Sequence, residues 1–254
     1  FTQDVAKGSL QTSVGPCVVN QTGQEVPMVY KHKVGFSEVP LSHAKRSACI
    51  APEGFYISLL NPSDDDKAPL SGKRDQELPK LREGHRVNIP GPHSMALWPG
   101  QHAKVVRGHQ LRSNWYLLAK VYNEEEARKN WDKGIVKVAE AEEEENEGAA
   151  KVKGVPMPDG LAVGKLVVIK GTDVSFYIPP TGVTVVAHDG NEDTADYYAR
   201  SALTLERLDY CILRDESGSK RFVIGPDVVF PEPTETFITD KKKNRAFRAV
   251  ELND

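Results

Sequence analysis

The sequence is short of cysteine, of long apolar runs and of net charge, and each shortage removes a class of explanation. Cys17, Cys49 and Cys211 are the only cysteines in 254 residues. They lie far apart with no CxxC pair, so no disulfide framework is expected and a reducing compartment is the default. No apolar run approaches the ~18 residues that span a bilayer as a helix. The first residues, FTQDVAKGSL, carry neither a basic region nor an apolar core. No secretory signal peptide is therefore expected, and the localisation read from this is cytoplasmic or within an assembled particle such as a virion. Lys and Arg number 33 against 36 Asp and Glu, a formal charge of −3, so nucleic acid is not an expected partner. Walker A, GxGxxG and Gly-x-Ser-x-Gly patterns are all missing, which leaves nucleotide cradling and a nucleophile elbow without support.

What remains is an ordinary folded composition, 27% charged and 39% hydrophobic, with strong β signals. Short apolar or β-branched runs such as FYISLL (55–60), WYLLAKVY (115–122), GKLVVIKG (164–171) and DYCILRD (209–215) are punctuated by Pro and Gly. This pattern predicts a mainly β fold of small antiparallel modules, sandwich- or barrel-like. One short helix is predicted over 123–133, with Asn123 as N-cap, Gly134 as stop and acid-first pairs Glu124–Arg128 and Glu125–Lys129. The stretch KVAEAEEEENEGAAKVK (137–153) has no apolar period and reads as an acidic linker. The domains expected from this are an N-terminal β region over 1–136 with a long polar loop at 61–84, the linker at 137–153, and a C-terminal β region over 154–254.

Gly-Pro recurs in similar surroundings: VGPCVV (14–19), VNIPGPHSMALWPGQ (87–101) and FVIGPDVVFPEPTETF (222–237). In the latter two an aromatic-Pro pair follows, Trp98-Pro99 and Phe230-Pro231. Aligned by eye, GFYISLLNP with NIPGPHSMALWPGQ matches LDYCILRDESGSKRFVIGPDVVFPEPTE. Each has Tyr in an apolar strand, a connection, a second strand ending at Gly-Pro, another strand, and an aromatic-Pro turn. The residues that define such a module are Gly91, Pro92, Gly218, Gly225, Pro226 and Pro231, with Gly218 at the centre of a hairpin turn. Residues 15–19 read as the tail of a truncated copy, and the whole as a repeated module.

This order of Tyr strand, hairpin, VIGP, strand and trailing acid resembles the repeat domains of the major vault protein family. GKLVVIKGTDVSFYIPPTGVTVV is similar to another segment of that family, with Lys170-Gly171 standing where Gly-Pro would be expected. The resemblance covers about two thirds of the chain. It implies β-modules that build the wall of a hollow particle, with no catalytic residues and no cofactor to carry over. The long loop, the acidic linker and the small number of modules depart from the family. A structural protein of another particle, such as a phage virion, fits the same features.

A search for chemistry finds little. His85, His93, His102 and His109 cluster in sequence, yet their gaps match no standard metal pattern. Asp64-Asp65-Asp66 and HDGNED (188–193) lack the ligand spacing of a calcium loop. No catalytic or metal residue is assigned and no enzyme is expected. KKKNRAFR (241–248) reads as a solvated basic connection. Trp131, flanked by polar Asn130, Asp132 and Lys133, and the edge charges Glu232 and Glu235 are the candidate interface residues. The function expected is that of a non-enzymatic structural subunit or accessory component of a large multi-copy assembly. Its partners would be copies of itself or other structural proteins. The alternative is a β-domain adaptor for a protein, glycan or membrane-associated partner.

Overall fold

The computed structural model describes residues 1–19, 23–31, 33–138, 155–188 and 197–249. The fold is mainly β, with small antiparallel sheets and one short helix, and no sheet closes into a barrel among the described residues. Two compact units divide at Gly108 and His109. The expected boundary at the acidic linker is corrected, because strands from both sides of it belong to the same sheets. Trp115–Val121 pairs with Leu166–Lys170 and with Val183–Val185, and Ile135–Val138 pairs with Val174–Ile178. Residues 139–153 of the linker lie outside the described residues.

One three-stranded antiparallel sheet recurs, with its first strand in the middle. In module A, Thr2–Asp4 lies between Leu10–Thr12 and Glu25–Lys31. In module B, Phe55–Leu60 lies between Arg86–Pro90 and His102–Arg107. Modules A and B form the first unit, and the second unit holds modules C and D. Module C centres on Trp115–Val121 and module D on Asp209–Arg214, flanked by Lys220–Ile224 and Thr236–Phe237. In C and D the third strand is interrupted and resumes as Arg200–Ser201 and as Phe247–Arg248. The basic stretch 241–248 is thus more than a connection, since its last two residues complete a ladder.

Equivalent residues make equivalent bonds. The first strands enter through the same turn, in which Phe55, Trp115 and Asp209 donate N–H to the carbonyls of Pro52, Arg112 and Glu206 at 3.1, 2.9 and 3.0 Å. The second strands end on Gly91, Gly171 and Gly225, whose N–H groups return to the carbonyls of Phe55, Trp115 and Asp209, each at 2.8 Å. The peptides Gly15–Pro16, Gly91–Pro92 and Gly225–Pro226 are cis. Past the glycine, the chain pairs with a short bridging strand that precedes its own module. His93–Met95 takes Cys49–Ala51, Val174–Ile178 takes His109–Gln110, and Asp227–Val229 takes Leu203–Leu205. In this register Tyr56, Tyr116 and Tyr210 are equivalent.

Alternation along the first strand supplies each core. In module D, Cys211 and Leu213 point inward with Leu205 and Val229. In module B the same positions are Ile57 and Leu59, packed with Ala51, Met95 and Leu97. What varies is the loop between first and second strands. In module D, Asp215 to Ser219 is a tight turn with Gly218 at φ +88°. In module B the 61–84 loop reaches module A, where Gln76–Glu77 pairs with Leu10–Thr12 and Val14 exchanges bonds with Lys73 and Gly72. In module C the loop carries the helix Glu124–Asn130, whose Asn123 cap accepts the Glu126 N–H at 3.1 Å.

The module glycines have no room for a side chain. A Cβ on Gly91 would lie 2.2 Å from the Pro52 carbonyl oxygen, on Gly225 2.2 Å from that of Glu206, and on Gly171 1.8 Å from that of Arg112. Gly15 would meet only the Cys17 nitrogen, at 3.9 Å. Each of Gly91→Ala, Gly171→Ala and Gly225→Ala is expected to destabilise by about 1–3 kcal/mol or more, whereas Gly15→Ala leaves the melting temperature nearly unchanged. Thermal unfolding followed by circular dichroism checks this, and equal melting temperatures for all four would refute the close-approach account.

Candidate functional site

The second unit brings several sequence-distant charged groups together where module D meets module C. The aromatic-Pro turn Phe230-Pro231 projects from module D, and Phe230 sits edge-on to Tyr116 of module C (centroids 6.1 Å apart, planes at 86°). The Lys170 ammonium lies 5.5 Å from the Phe230 ring centroid, a cation–π contact. Tyr116 is 8% exposed and its neighbour Leu118 6%. Beside this contact opens a cavity of about 450 Å³ lined by Lys170, Thr172, Asp173, Arg221, Asp227 and Phe230, among others.

Two of those charges are built into the wall. Arg221 reaches Glu235 with its Nε at 2.8 Å and a terminal nitrogen at 2.5 Å, a two-point pairing of guanidinium and carboxylate. The Glu235 side chain is 8% exposed against 44% for Arg221. Its pKa is lowered chiefly by the Arg221 hydrogen bond; burial opposes this, while the Glu232 N–H and the Arg221 charge lower it further. Glu235 also accepts the Glu232 N–H at 2.8 Å, while its own N–H donates to the Glu232 carbonyl at 2.9 Å. Gln101 does the same in module B: its Oε1 accepts the Trp98 N–H at 2.9 Å and its N–H returns to Trp98 at 3.1 Å. A side-chain acceptor thus closes the turn just before the third strand in both modules, Trp98–Gln101 with a neutral amide and Glu232–Glu235 with a paired carboxylate.

The residues singled out from sequence divide accordingly. Gly91-Pro92 and Gly225-Pro226 lie between a second strand and the strand after it, Gly218 lies in the hairpin at φ +88°, and Pro231 lies between Asp227–Val229 and the turn over 232–235. Glu235 closes a turn with its side chain, and Glu232 at the start of that turn is exposed. Trp131 is corrected from interface to core: it is 7% exposed, packed among Leu117, Val121 and Tyr177, and its indole N–H donates to the Val155 carbonyl at 2.8 Å. Its polar neighbours in sequence point elsewhere because a helix turns consecutive residues to different faces. Gln101 and Arg221 escaped notice, and Lys170 stood out only for its place before Gly171; the signal for Gln101 and Glu235 was their shared place just before the third strand.

The described residues bring no group of three His, Cys, Asp or Glu together in a way that could hold a metal ion. His109 is buried against Tyr198 at 4.7 Å in an edge-on arrangement, and burial lowers its pKa from 6.5 to about 4. Burial likewise pushes the thiols of Cys49 and Cys211 up, away from the reactive thiolate. The cavity itself is lined by two cations, Lys170 and Arg221, and two carboxylates, Asp173 and Asp227.

Two expectations follow from these groups. Arg221→Ala strands the Glu235 carboxylate in a largely covered position and should cost about 1–3 kcal/mol. Because the folded pKa of Glu235 is lowered, its contribution is present above the unfolded value near 4.5 and is lost as pH falls through the folded value. Arg221→Ala should thus be damaging at pH 7 and nearly harmless at the acid end, in denaturant titrations at both. His109 stays neutral in the fold while the unfolded chain protonates, so stability should fall as pH drops from 6.5 toward about 4. A His109→Phe variant should flatten that part of the stability–pH curve, and an unchanged slope would refute the assignment.

No protein-family model matches this chain, and neither does any curated protein.

Proposed function

We propose that the chain is a non-enzymatic structural subunit or accessory component of a large multi-copy assembly, of the particle-shell or virion kind. The observation that carries this reading is the recurrence of one module. The same three-stranded sheet, entry turn, close-approach glycine and bridging strand return in modules B, C and D with equivalent hydrogen bonds. Repeated modules of this kind stabilise one another through neighbour contacts and present repeated surfaces. The Phe230–Tyr116 contact is such a neighbour contact within the second unit. The similarity to major vault protein repeats points the same way, as does a cavity whose cations are tied to Glu235 and to an aromatic ring. Partners on this reading are further copies of the chain or other structural proteins of the particle.

Size-exclusion chromatography with light scattering across a hundredfold range of concentration tests the reading, with electron microscopy of any large species. A mass that climbs with concentration, or visible rings and shells, is the expected result. A mass fixed at the 28.1 kDa monomer at every concentration would overturn assembly by this chain alone.

A further inference from the structure

Module A has the second strand and the Gly-Pro exit of the other modules without the segment that pairs with them. In module D, Tyr210 pairs with Ile224, so Gly225 stands opposite Asp209; in module B, Gly91 stands opposite Phe55 in the same way. In module A, Thr2 pairs with Gln11. The same count along the ladder sets Gly15 opposite a position three places before Phe1. An entry turn and a bridging strand would lie further out, at the places held in module D by Glu206 and by Leu203–Leu205.

The place for that segment is formed, and it is open among the described residues. Thr12 and Val14 turn their backbone groups to the 61–84 loop, where Thr12 faces Gln76 and Val14 bonds to Lys73 and Gly72. Alternation turns the Ser13 and Gly15 N–H groups the other way, where no described residue accepts from them. A Cβ on Gly15 meets only the Cys17 nitrogen at 3.9 Å, whereas Gly91, Gly171 and Gly225 lie against a turn carbonyl. Residues 17–19 follow Gly-Pro as His93–Met95 and Asp227–Val229 do, yet they pair with no described strand, and Val18 is 72% exposed. An apolar core is missing with the segment. Among the described residues of 1–50 only Thr2, Thr12 and Pro27 are buried, and Thr2 stands where Leu59 and Leu213 fill modules B and D.

We infer that module A is a strand-acceptor site whose occupant is an extended polypeptide segment of nine residues running directly into Phe1, the counterpart of 203–211 in module D. Modules B and D show what covers this place and with which chemistry. The segment brings a bridging strand with apolar residues at both ends, as Cys49 and Ala51 or Leu203 and Leu205 are. It brings a turn whose carbonyl lies against Gly15. Just before Phe1 it brings an apolar residue in the place of Ile57 and Cys211, both 0% exposed. Backbone bonds to Ser13 and Gly15 set the register, and the alternate apolar side chains supply the specificity. A segment joined to Phe1 is favoured over a detached strand. The first strand then continues through Thr2 without a break, and the joint raises the effective concentration of the occupant.

The test places a copy of residues 203–211, LTLERLDYC, directly before Phe1 of the full chain, with a scrambled extension of the same composition as control, in reducing buffer. Hydrogen exchange over 13–19 and thermal unfolding, each with and without Gly15→Ala, are the readouts. The extension is expected to slow exchange over 13–19 by about tenfold or more and to leave 227–229 unchanged. Gly15→Ala, harmless in the unextended chain, should then lower the melting temperature as Gly225→Ala does. Exchange over 13–19 no slower than in the scrambled control, or a Gly15→Ala that stays harmless in the extended chain, would overturn the acceptor. So would exchange over 13–19 in the unextended chain as slow as over 89–95, because the place would already be filled. If the same nine residues, added as a free peptide at equal concentration, protect 13–19 as fully as the joined segment, the joint with Phe1 is overturned.

Discussion

A glycine lying against a turn carbonyl is the contact on which each complete module depends. Gly91, Gly171 and Gly225 approach the carbonyls of Pro52, Arg112 and Glu206 so closely that no Cβ fits, while their N–H groups hold the start of the first strand. One residue thereby joins three things: the end of the second strand, the start of the first, and the turn that leads in from the bridging strand. Held there, the chain passes directly into the strand that pairs with the bridging strand, and the inward residues of both close over the core. A side chain at this point would wedge the hairpin away from the turn, and the core would lose its lid.

The second recurring device is the turn before the third strand, Trp98–Gln101 in module B and Glu232–Glu235 in module D, each closed from within by its last side chain. The backbone geometry is shared and the chemistry is not. Gln101 is 1% exposed and its side-chain NH2 donates to the Asn61 carbonyl at 3.0 Å, so a neutral group suits it. Glu235 sits beside Arg221, whose guanidinium compensates the cost of holding a carboxylate in a covered place. The turn it closes directly follows Phe230-Pro231, and Phe230 packs on Tyr116. Local turn chemistry and the contact between neighbouring modules are therefore one structure in the second unit.

Much of this was legible along the chain. The Gly-Pro pairs, the tyrosines of the first strands and the substitute Gly171 align in the fold as they align in sequence, because each answers a requirement met within a few residues. The helix from Glu124 with its Asn123 cap and the hairpin around Gly218 were legible for the same reason. The bridging strands were not, since two or three residues such as His109–Gln110 carry too little pattern to declare a strand. Nor was the resumption of a third strand at Phe247–Arg248, whose basic surroundings read as solvent-facing. Trp131 misled because its sequence neighbours are polar while its spatial neighbours are Leu117, Val121 and Tyr177.

The sequence by itself determined the β class, the module punctuation and the turn residues, since alternation, glycine freedom and capping act over short distances along the chain. Tertiary structure alone decided where the units divide, which loop lies against which module, and that Glu235 meets Arg221. Those outcomes depend on strands distant in sequence, such as Trp115–Val121 with Leu166–Lys170 and Leu10–Thr12 with Gln76–Glu77. Pairing of that kind is set by the fit of complementary edges and faces in space, which no local pattern of residues records.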